Sequence, residues 1–379
     1  MESLIPLRWF EPLSTGVLLL VIAACLSALI RGADWLVGAA AAIARRSGMS
    51  KIAIGATVVA IGTTSPEAVV SLLAAWEGHP HLALGNAIGS ICFDVGLVFG
   101  VGCLLAALPA DRFVLKRLGW VQLGSGLALA GLSFGAFALW GEEAALHRWI
   151  GLLLLALFVV FLFVSLRWSR EHERSARREA EVAGELQAAV DDPEPGDSVP
   201  DGLAPAGLYH PAFLRERRLS IGRLVGVGLL GLVLVLLGSQ ILVRSAVQLA
   251  ARWSVPEVVM GATLVAAGAS LAQFIVGLAS VWKGQYQILI GNVIGATILN
   301  ALWVTGLAAL PHGLPILEAG APDPRIVLSV HLPAMLLLLV WVRLCALSAV
   351  RRGHFSRWFG VPALAGYVAF VVAQFVIGR

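Results

Sequence analysis

The feature that most constrains this chain is an apolar stretch of 46 residues that occurs twice. A shift of 206 positions aligns residues 55–100 with residues 261–306 without a gap, and 16 of the 46 aligned positions are identical. The first copy carries Glu67 and Asp94 inside segments that are long enough to span a bilayer. Because a carboxylate at bilayer depth costs about 2.5–3.5 kcal/mol on insertion scales, both acids are predicted to serve a function.

The composition is typical of a membrane protein. Hydrophobic residues make up 59% of the 379 residues, charged residues make up 13%, and the mean hydropathy is +0.87, whereas soluble domains have about 25% charged residues. The net charge of +4 comes from basic residues at the ends of apolar segments, which favours contact with a lipid bilayer and not with nucleic acid. The sequence has no Ser/His/Asp grouping, HExxH motif or phosphate-binding glycine loop, so an enzyme is not expected.

The hydropathy pattern predicts an all-α integral membrane protein with about ten transmembrane helices. The apolar segments lie near 13–44, 52–76, 82–109, 118–140, 147–167, 221–250, 257–282, 286–310, 325–346 and 359–378. The first and the sixth are the longest, near 30 residues, and they are equivalent under the 206-residue shift. Since five spans per half is an odd number, the second half must insert upside down relative to the first, as in the inverted repeats of secondary transporters.

A polar segment, residues 169–219, separates a first transmembrane half, 1–168, from a second, 220–379. It begins with a charged stretch that is compatible with a helix and then becomes rich in Pro, Gly and acidic residues, which cannot bury enough apolar surface to fold alone. We therefore predict a partly disordered linker. The alternative, a regulatory cation site, would use the acidic residues of that run: Asp191, Asp192, Glu194 and Asp197.

The distribution of basic residues predicts the orientation. With the N-terminus outside, the cytoplasmic side receives 20 of the 27 Lys and Arg residues, as the positive-inside rule requires. The linker is then cytoplasmic, and an even number of spans places Arg379 outside. The expected location is a bacterial inner membrane or another plasma membrane.

The candidate ion ligands of the first copy follow from one proline and the residues around it. Pro66 lacks an N–H and clashes with the preceding turn, which frees the Gly62 carbonyl. Freed carbonyls, small hydroxyls and a carboxylate form an all-oxygen cluster that suits hard cations such as calcium or sodium. In the next span Ser90 and Asp94 are four residues apart and therefore share one helix face. The oxygen-bearing candidates are Gly62, Thr63, Thr64, Glu67, Ser90 and Asp94, of which Glu67 and Asp94 are the predicted metal ligands.

An alternative for the two acids is a structural ion pair with an arginine. Arg31 already has Asp34 three residues later, and Arg244 lies near the end of a span, where snorkelling would hydrate it. The cation site is therefore the preferred interpretation.

The two copies resemble the α-repeats of the sodium/calcium exchanger family of the calcium/cation antiporter superfamily. That family's pattern runs roughly G-x-T-x-x-A-x-G-T-S-x-P-E and then G-N-x-x-G-S-N-x-x-N or D. The matching residues of the first copy are Gly55, Thr57, Ala60, Gly62, Thr63, Thr64, Pro66, Glu67, Gly85, Asn86, Gly89, Ser90 and Asp94. Those of the second copy are Gly261, Thr263, Ala266, Gly268, Ser270, Gly291, Asn292, Gly295 and Asn300.

The resemblance implies ion sites at mid-membrane between the two repeats, with the long first and sixth helices sliding across a rigid core. It adds Ser270, Gln273 and Asn300 to the cation-binding candidates. The motif residues expected to serve helix packing are Pro66, Gly85, Asn86, Gly89, Gly268, Gly291, Asn292 and Gly295; of these, Gly85 and Gly89 form a small-xxx-small pair that allows close approach of a neighbouring helix.

This chain departs from the family's pattern in its second repeat. The usual proline and glutamate are replaced by Ala272 and Gln273, a threonine by Ala269 and a serine by Ala296. Both carboxylates of the expected site therefore come from the first half of the chain.

The function expected from the resemblance is secondary active antiport. The protein would export calcium or a related divalent cation in exchange for sodium or protons by alternating access, with no cofactor besides the transported ions. Two alternatives stay open: a degenerate member that binds a cation without transporting it, and an exchanger of monovalent cations and protons only. No oligomeric state is indicated.

Overall fold

The computed structural model describes residues 9–46, 60–110, 112–165, 167–168, 220–282 and 286–377. The predicted all-α architecture is confirmed. In chain order the helices are α1 (Thr15–Arg46), α2 (Ala60–Thr63), α3 (Ser65–Trp76), α4 (Pro80–Cys92), α5 (Phe99–Leu105), α6 (Arg112–Trp140), α7 (Arg148–Ser165), α8 (Ile221–Trp253), α9 (Glu257–Met260), α10 (Ala266–Ala269), α11 (Leu271–Trp282), α12 (Tyr286–Leu299), α13 (Thr305–Ala309), α14 (Leu332–Arg352) and α15 (Gly360–Ile377).

Within the described ranges, eight helices are long and apolar enough to cross a membrane. They are α1, α4 continued by α5, α6, α7, α8, α12 continued by α13, α14 and α15. The other two predicted spans, near 52–76 and 257–282, are interrupted: the described part of the first contains α2 and α3, and the second contains α9, α10 and α11. The ten expected segments thus differ in kind, because two of them are broken helices.

Both interruptions fall on equivalent residues of the two repeats. The backbone leaves the helix at Thr64 (φ −95°, ψ 0°) between α2 and α3, and at Ser270 (φ −80°, ψ 0°) between α10 and α11. Pro66 lies in the first turn of α3, where its missing N–H leaves no helical bond unmade. The second break occurs without a proline, since Ala272 occupies that position.

A second shared irregularity lies in the spans that follow the breaks. A π-helical segment, Phe93–Val98, joins α4 to α5, and another, Asn300–Val304, joins α12 to α13. These segments contain Asp94 and Asn300, which are equivalent under the repeat. Such π-turns widen a helix locally and recur at functional sites.

Contacts between loops show which helix ends lie on the same face of the helical assembly. On one face Arg252 donates to the Glu11 carbonyl, the His79 ring lies 2.8 Å from Glu257, and β1 (Ala145–Leu146) pairs with β2 (Leu314–Pro315). On the other face, the Phe355 N–H donates to the Leu108 carbonyl. Chain segments that are joined by one spanning helix fall on opposite faces, as alternating crossings require.

The long helices α1 and α8 pack against each other at a glycine. A Cβ placed on Gly32 of α1 would lie 2.8 Å from the Gly231 carbonyl oxygen of α8, so only glycine permits this approach. At the far end of α8, Arg244 Nε lies 3.0 Å from Glu77 Oε2 in a nearly buried ion pair. The snorkelling expected for Arg244 is therefore wrong, because a carboxylate at the end of α3 is within reach.

Several predictions fall on residues outside the described ranges. They include the linker 169–219 with its acidic run, and Gly55 and Thr57 of the repeat motif.

Candidate cation site

Glu67 and Asp94 are both buried in the core of the helical assembly. Glu67 is 0% exposed in the first turn of α3, and Asp94 is 1% exposed in the π-segment after α4. The Glu67 carboxylate is close enough to interact electrostatically with Asp94. The sequence separates the two acids by 27 positions, but the break after α2 and the return of α4 bring them to one site.

Hydrogen bonds join the two helix breaks directly. The Ser270 hydroxyl of the second repeat donates to Glu67 Oε1 of the first at 3.1 Å. The Gln273 amide Nε2 reaches the Thr64 hydroxyl at 3.5 Å. All four side chains are 0% exposed. The structure thus brings together Thr64, Glu67, Ser270 and Gln273 at the junction of the two halves.

Several oxygens of this region have no hydrogen-bond partner among the described residues. They are Glu67 Oε2, Asp94 Oδ2, Ser90 Oγ, Gln273 Oε1 and Asn300 Oδ1. An unpaired buried polar atom costs about 1–3 kcal/mol, and in native proteins such an atom is explained by strain, by a functional role, or by a bound water or ion. Two carboxylates, two amide carbonyls and a hydroxyl are the donor set that hard cations prefer.

The other predicted residues near the breaks are Gly62 and Thr63, which are ligand candidates, and Gly268, which is a predicted packing residue. Gly62 is buried in α2, and Gly268 packs so closely on α1 that a Cβ would lie 2.5 Å from Leu26 Cδ1. The side chain of Thr63 lies outside the described residues.

The predicted close packing of the first repeat's glycines is confirmed. A Cβ on Gly85 would lie 2.1 Å from the Val258 carbonyl oxygen, and one on Gly89 would lie 2.4 Å from the Ala262 carbonyl oxygen. Helix α4 therefore crosses the first part of the second repeat backbone to backbone, which sets the position of Ser90 and Asp94.

The equivalent glycines of the second repeat, Gly291 and Gly295, have no close neighbour among the described residues. No described atom lies within 4 Å of a Cβ placed on Gly291 or Gly295, and residues 52 and 56, the equivalents of Val258 and Ala262, lie outside the described ranges. Asn292 is half-buried. Packing roles for Gly291, Asn292 and Gly295 stay predictions.

One polar contact near the site was missed by sequence reasoning. Asn86 Nδ2 donates to the Ser71 hydroxyl at 2.8 Å and to the Glu67 carbonyl at 3.3 Å, so it holds α4 against the helix that carries Glu67. Asn86 was predicted as a packing residue. The repeat comparison did not single out Ser71, because the equivalent residue in the second repeat is Gly277.

The charge density of the site is low. Among the described residues, no group of three or more His, Cys, Asp and Glu side chains could hold a metal ion. A cation here would be held by two carboxylates together with neutral oxygens, and a site of that kind binds ions without retaining them indefinitely.

The chain is similar in sequence to known membrane antiporters and exchangers. The sequence model of the family described as sodium/calcium exchanger protein matches residues 17–167 and 223–376. The chain is 31% identical over 325 residues to the putative antiporter CaxA of Alkalimonas amylolytica, which covers 86% of this chain and 89% of that protein. It is 28% identical over 367 residues to the sodium/calcium exchanger MaX1 of Methanosarcina acetivorans, which covers 92% of this chain and 96% of that protein.

A solved structure supports the same fold. The sodium-calcium exchanger NCX_Mj, from a crystal soaked with Na⁺ and Sr²⁺, superposes with a TM-score of 0.57 at 24% identity. The match covers 95% of this chain and 99% of that one. On the evidence of the family model, which matches both halves, this multi-pass integral membrane protein belongs to the sodium/calcium exchanger family.

Proposed function

We propose that this protein is a secondary active antiporter that exports calcium, or a related divalent cation, in exchange for sodium or protons. The observation that carries the proposal is the buried cluster of unpaired oxygens around Glu67 and Asp94, at the point where the broken helices of both repeats meet. Broken half-helices at the interface of inverted repeats are where secondary transporters bind their ions.

Alternating access is the mechanism that fits this architecture. Helices α1 and α8 pack tightly on each other and flank the broken helices of the core. We propose that this pair slides across the core, so that the cluster opens first to one side and then to the other. By the distribution of basic residues, the N-terminus is outside and the linker is cytoplasmic in a bacterial inner or other plasma membrane.

A second candidate function is cation binding without transport. The replacement of the second repeat's glutamate and proline by Gln273 and Ala272 favours it. The break at Ser270 counts against it, because the second half keeps the irregular backbone that an exchanging site needs even though the proline is gone.

Flux measurements in vesicles test the proposal. The purified full chain, reconstituted into liposomes, is expected to take up labelled calcium when an opposing sodium or proton gradient is imposed. Glu67→Gln and Asp94→Asn should each reduce this flux by more than about tenfold, because ligand charge tunes calcium affinity over several decades. Glu142→Gln, the same chemical change at an exposed loop residue, is the matched control and should leave the flux unchanged.

The flux and binding results distinguish an antiporter from a protein that binds a cation without transporting it. Calcium binding by the wild type with no flux under either gradient would establish the binding protein instead. Unchanged calcium, sodium and proton fluxes in both site variants would show that the two carboxylates are not in the transport site.

A further inference from the structure

Arg343 is a charged side chain of the spanning helices that the candidate cation site does not use. It lies on α14, is 5% exposed, and donates from Nη1 to the Leu115 carbonyl of α6 at 2.7 Å. Its Nε has no hydrogen-bond partner among the described residues. In the described part of the chain, no Asp or Glu is recorded within ion-pair distance of it. Arg343 is therefore a nearly buried guanidinium without a carboxylate partner.

The end of the helical assembly around Arg343 is strongly basic. Residues 112–120, at the start of α6, contain three Lys and Arg residues, and residues 343–358, from α14 to the turn before α15, contain four. Neither range contains an Asp or Glu. Asp111, which precedes α6, lies outside the described residues. The two ranges share one face, since the Phe355 N–H donates to the Leu108 carbonyl, and this face is the one predicted to be cytoplasmic.

Trp120 of α6 lies between Arg343 and the bilayer. The guanidinium carbon of Arg343 is 4.1 Å from the centre of the Trp120 ring, and Trp120 is 56% exposed. Lys116 precedes Trp120 by four residues, so the two share one helix face, and Lys116 is exposed as well. This face of α6 thus combines an ammonium group with an indole ring, a pairing that is common where helices meet lipid headgroups.

The core side of Arg343 offers no negative charge. The small cavity beside it is lined mainly by apolar side chains, among them Phe99, Ile290 and Phe355, and the amide of Gln122 is neutral. A charged group in a low-dielectric environment is costly unless it is paired. A compensating anion for Arg343 would therefore have to come from the bilayer side.

We propose that α6 and α14 bind the headgroup phosphate of an anionic phospholipid at Arg343 and Lys116, beside the Trp120 ring. The phosphate oxygens accept from the free Nε–H of Arg343 and from the Lys116 ammonium, both of which are charge-assisted hydrogen bonds. The acyl chains lie along the apolar surface of the two helices, where Leu127 and Leu344 are about half exposed. The lipid site is separate from the candidate cation site and does not depend on the antiport function.

Native mass spectrometry of the purified full chain in a neutral detergent measures the binding. We compare the affinity for the first bound phosphatidylglycerol with that for phosphatidylcholine of the same acyl chains. Phosphatidylglycerol is expected to bind about 10- to 30-fold more tightly, because each basic residue near an anionic headgroup contributes about a factor of five. Inorganic phosphate in excess is the third arm and should not displace the lipid, since it lacks the apolar chains.

Two substitutions test the assigned residues. Lys116→Gln and Arg343→Gln should each reduce the affinity for phosphatidylglycerol by about fivefold or more and leave that for phosphatidylcholine unchanged. Glutamine at 343 can still donate to the Leu115 carbonyl. Arg357→Gln, the same loss of charge at an exposed residue of the same face, is the matched control and should change the affinity by less than about twofold.

Three results would overturn the proposal. The first is equal affinity of the wild type for the two lipids. The second is displacement of phosphatidylglycerol by inorganic phosphate, which would indicate a site for a free anion. The third is an equal loss of affinity in Lys116→Gln and Arg357→Gln, which would indicate attraction by the general surface charge. Because Lys116 is exposed, this comparison decides the proposal even if Arg343→Gln fails to fold.

Discussion

Ser270 shows how a neutral residue of the second repeat can act on a charged residue of the first. Its hydroxyl donates to Glu67 Oε1, and both side chains are buried. The bond orients one carboxylate oxygen and leaves Oε2 free for an ion. The equivalent hydroxyl of the first repeat, Thr64, instead accepts from the Gln273 amide. Related positions therefore have different roles because only one repeat carries the glutamate.

At the residue scale we predict that Ser270→Ala weakens divalent cation affinity by about 10- to 100-fold, because hydrogen bonds to charged groups contribute about 1.5–3 kcal/mol. The measurement is calcium-dependent uptake at varied calcium concentration. Ser133→Ala is the matched control: Ser133 is equally buried, and its hydroxyl donates to the Leu129 carbonyl within its own helix, α6. Equal affinities in the two variants would show that Ser270 does not position Glu67.

The breaks at Thr64 and Ser270 and the π-segments at Asp94 and Asn300 recur in both halves although the side chains around them differ. The proline is present in one half only, so it cannot be the common cause of the breaks. What the two halves share is a set of small residues, including Gly62 and Gly268, together with packing against a long helix, which the structure shows for Gly268 and α1. The geometry of these elements is therefore set by close helix packing as well as by local propensity.

At the element scale we predict that Gly89→Ala destabilises the protein by about 1–3 kcal/mol, the usual cost of overpacking. The added Cβ would lie 2.4 Å from the Ala262 carbonyl oxygen, so α4 would have to move away from the second repeat. Thermal unfolding of the detergent-solubilised protein measures the effect.

Gly131→Ala is the matched control for this prediction. It makes the same substitution in α6, where no described atom lies within 4 Å of the new Cβ, and alanine there should be neutral or stabilising. If both variants unfold at the same temperature, the close crossing of α4 is not a packing constraint.

For the whole molecule, the contacts between loops settle which ends share a face but leave the direction of insertion open. The pairing of His79 with Glu257, and of Leu108 with Phe355, would be the same if the molecule were turned over. Only the basic residues distinguish the two orientations, through the membrane potential and anionic lipids.

At this scale we predict that a reporter inserted at residues 190–200 is cytoplasmic and that one fused after Arg379 is outside. The side of the membrane is measured by fusing two reporters at each site, one that is active only in the cytoplasm and one that is active only outside it. Finding both sites on the same side would mean that an even number of crossings separates them, which would remove the odd number of spans per half and, with it, the inversion of the two halves.

The sequence alone determined the class, the repeat and the two buried carboxylates of the candidate site. Hydropathy marks membrane segments because the bilayer excludes unpaired polar backbone, and a buried carboxylate is conspicuous because its burial is costly. The repeat was visible because its glycines and asparagines sit at matching positions, and Glu67 and Asp94 stood out against an apolar background.

The tertiary structure alone decided which residues meet. The contact of Ser270 with Glu67 spans 203 positions and that of Arg244 with Glu77 spans 167, and no local pattern encodes either one. The break without a proline at Ser270 and the Asn86–Ser71 bond likewise depend on how helices pack. Local propensity and hydropathy act over a few turns of helix, whereas the candidate site is assembled by contacts between two halves that are far apart in the chain.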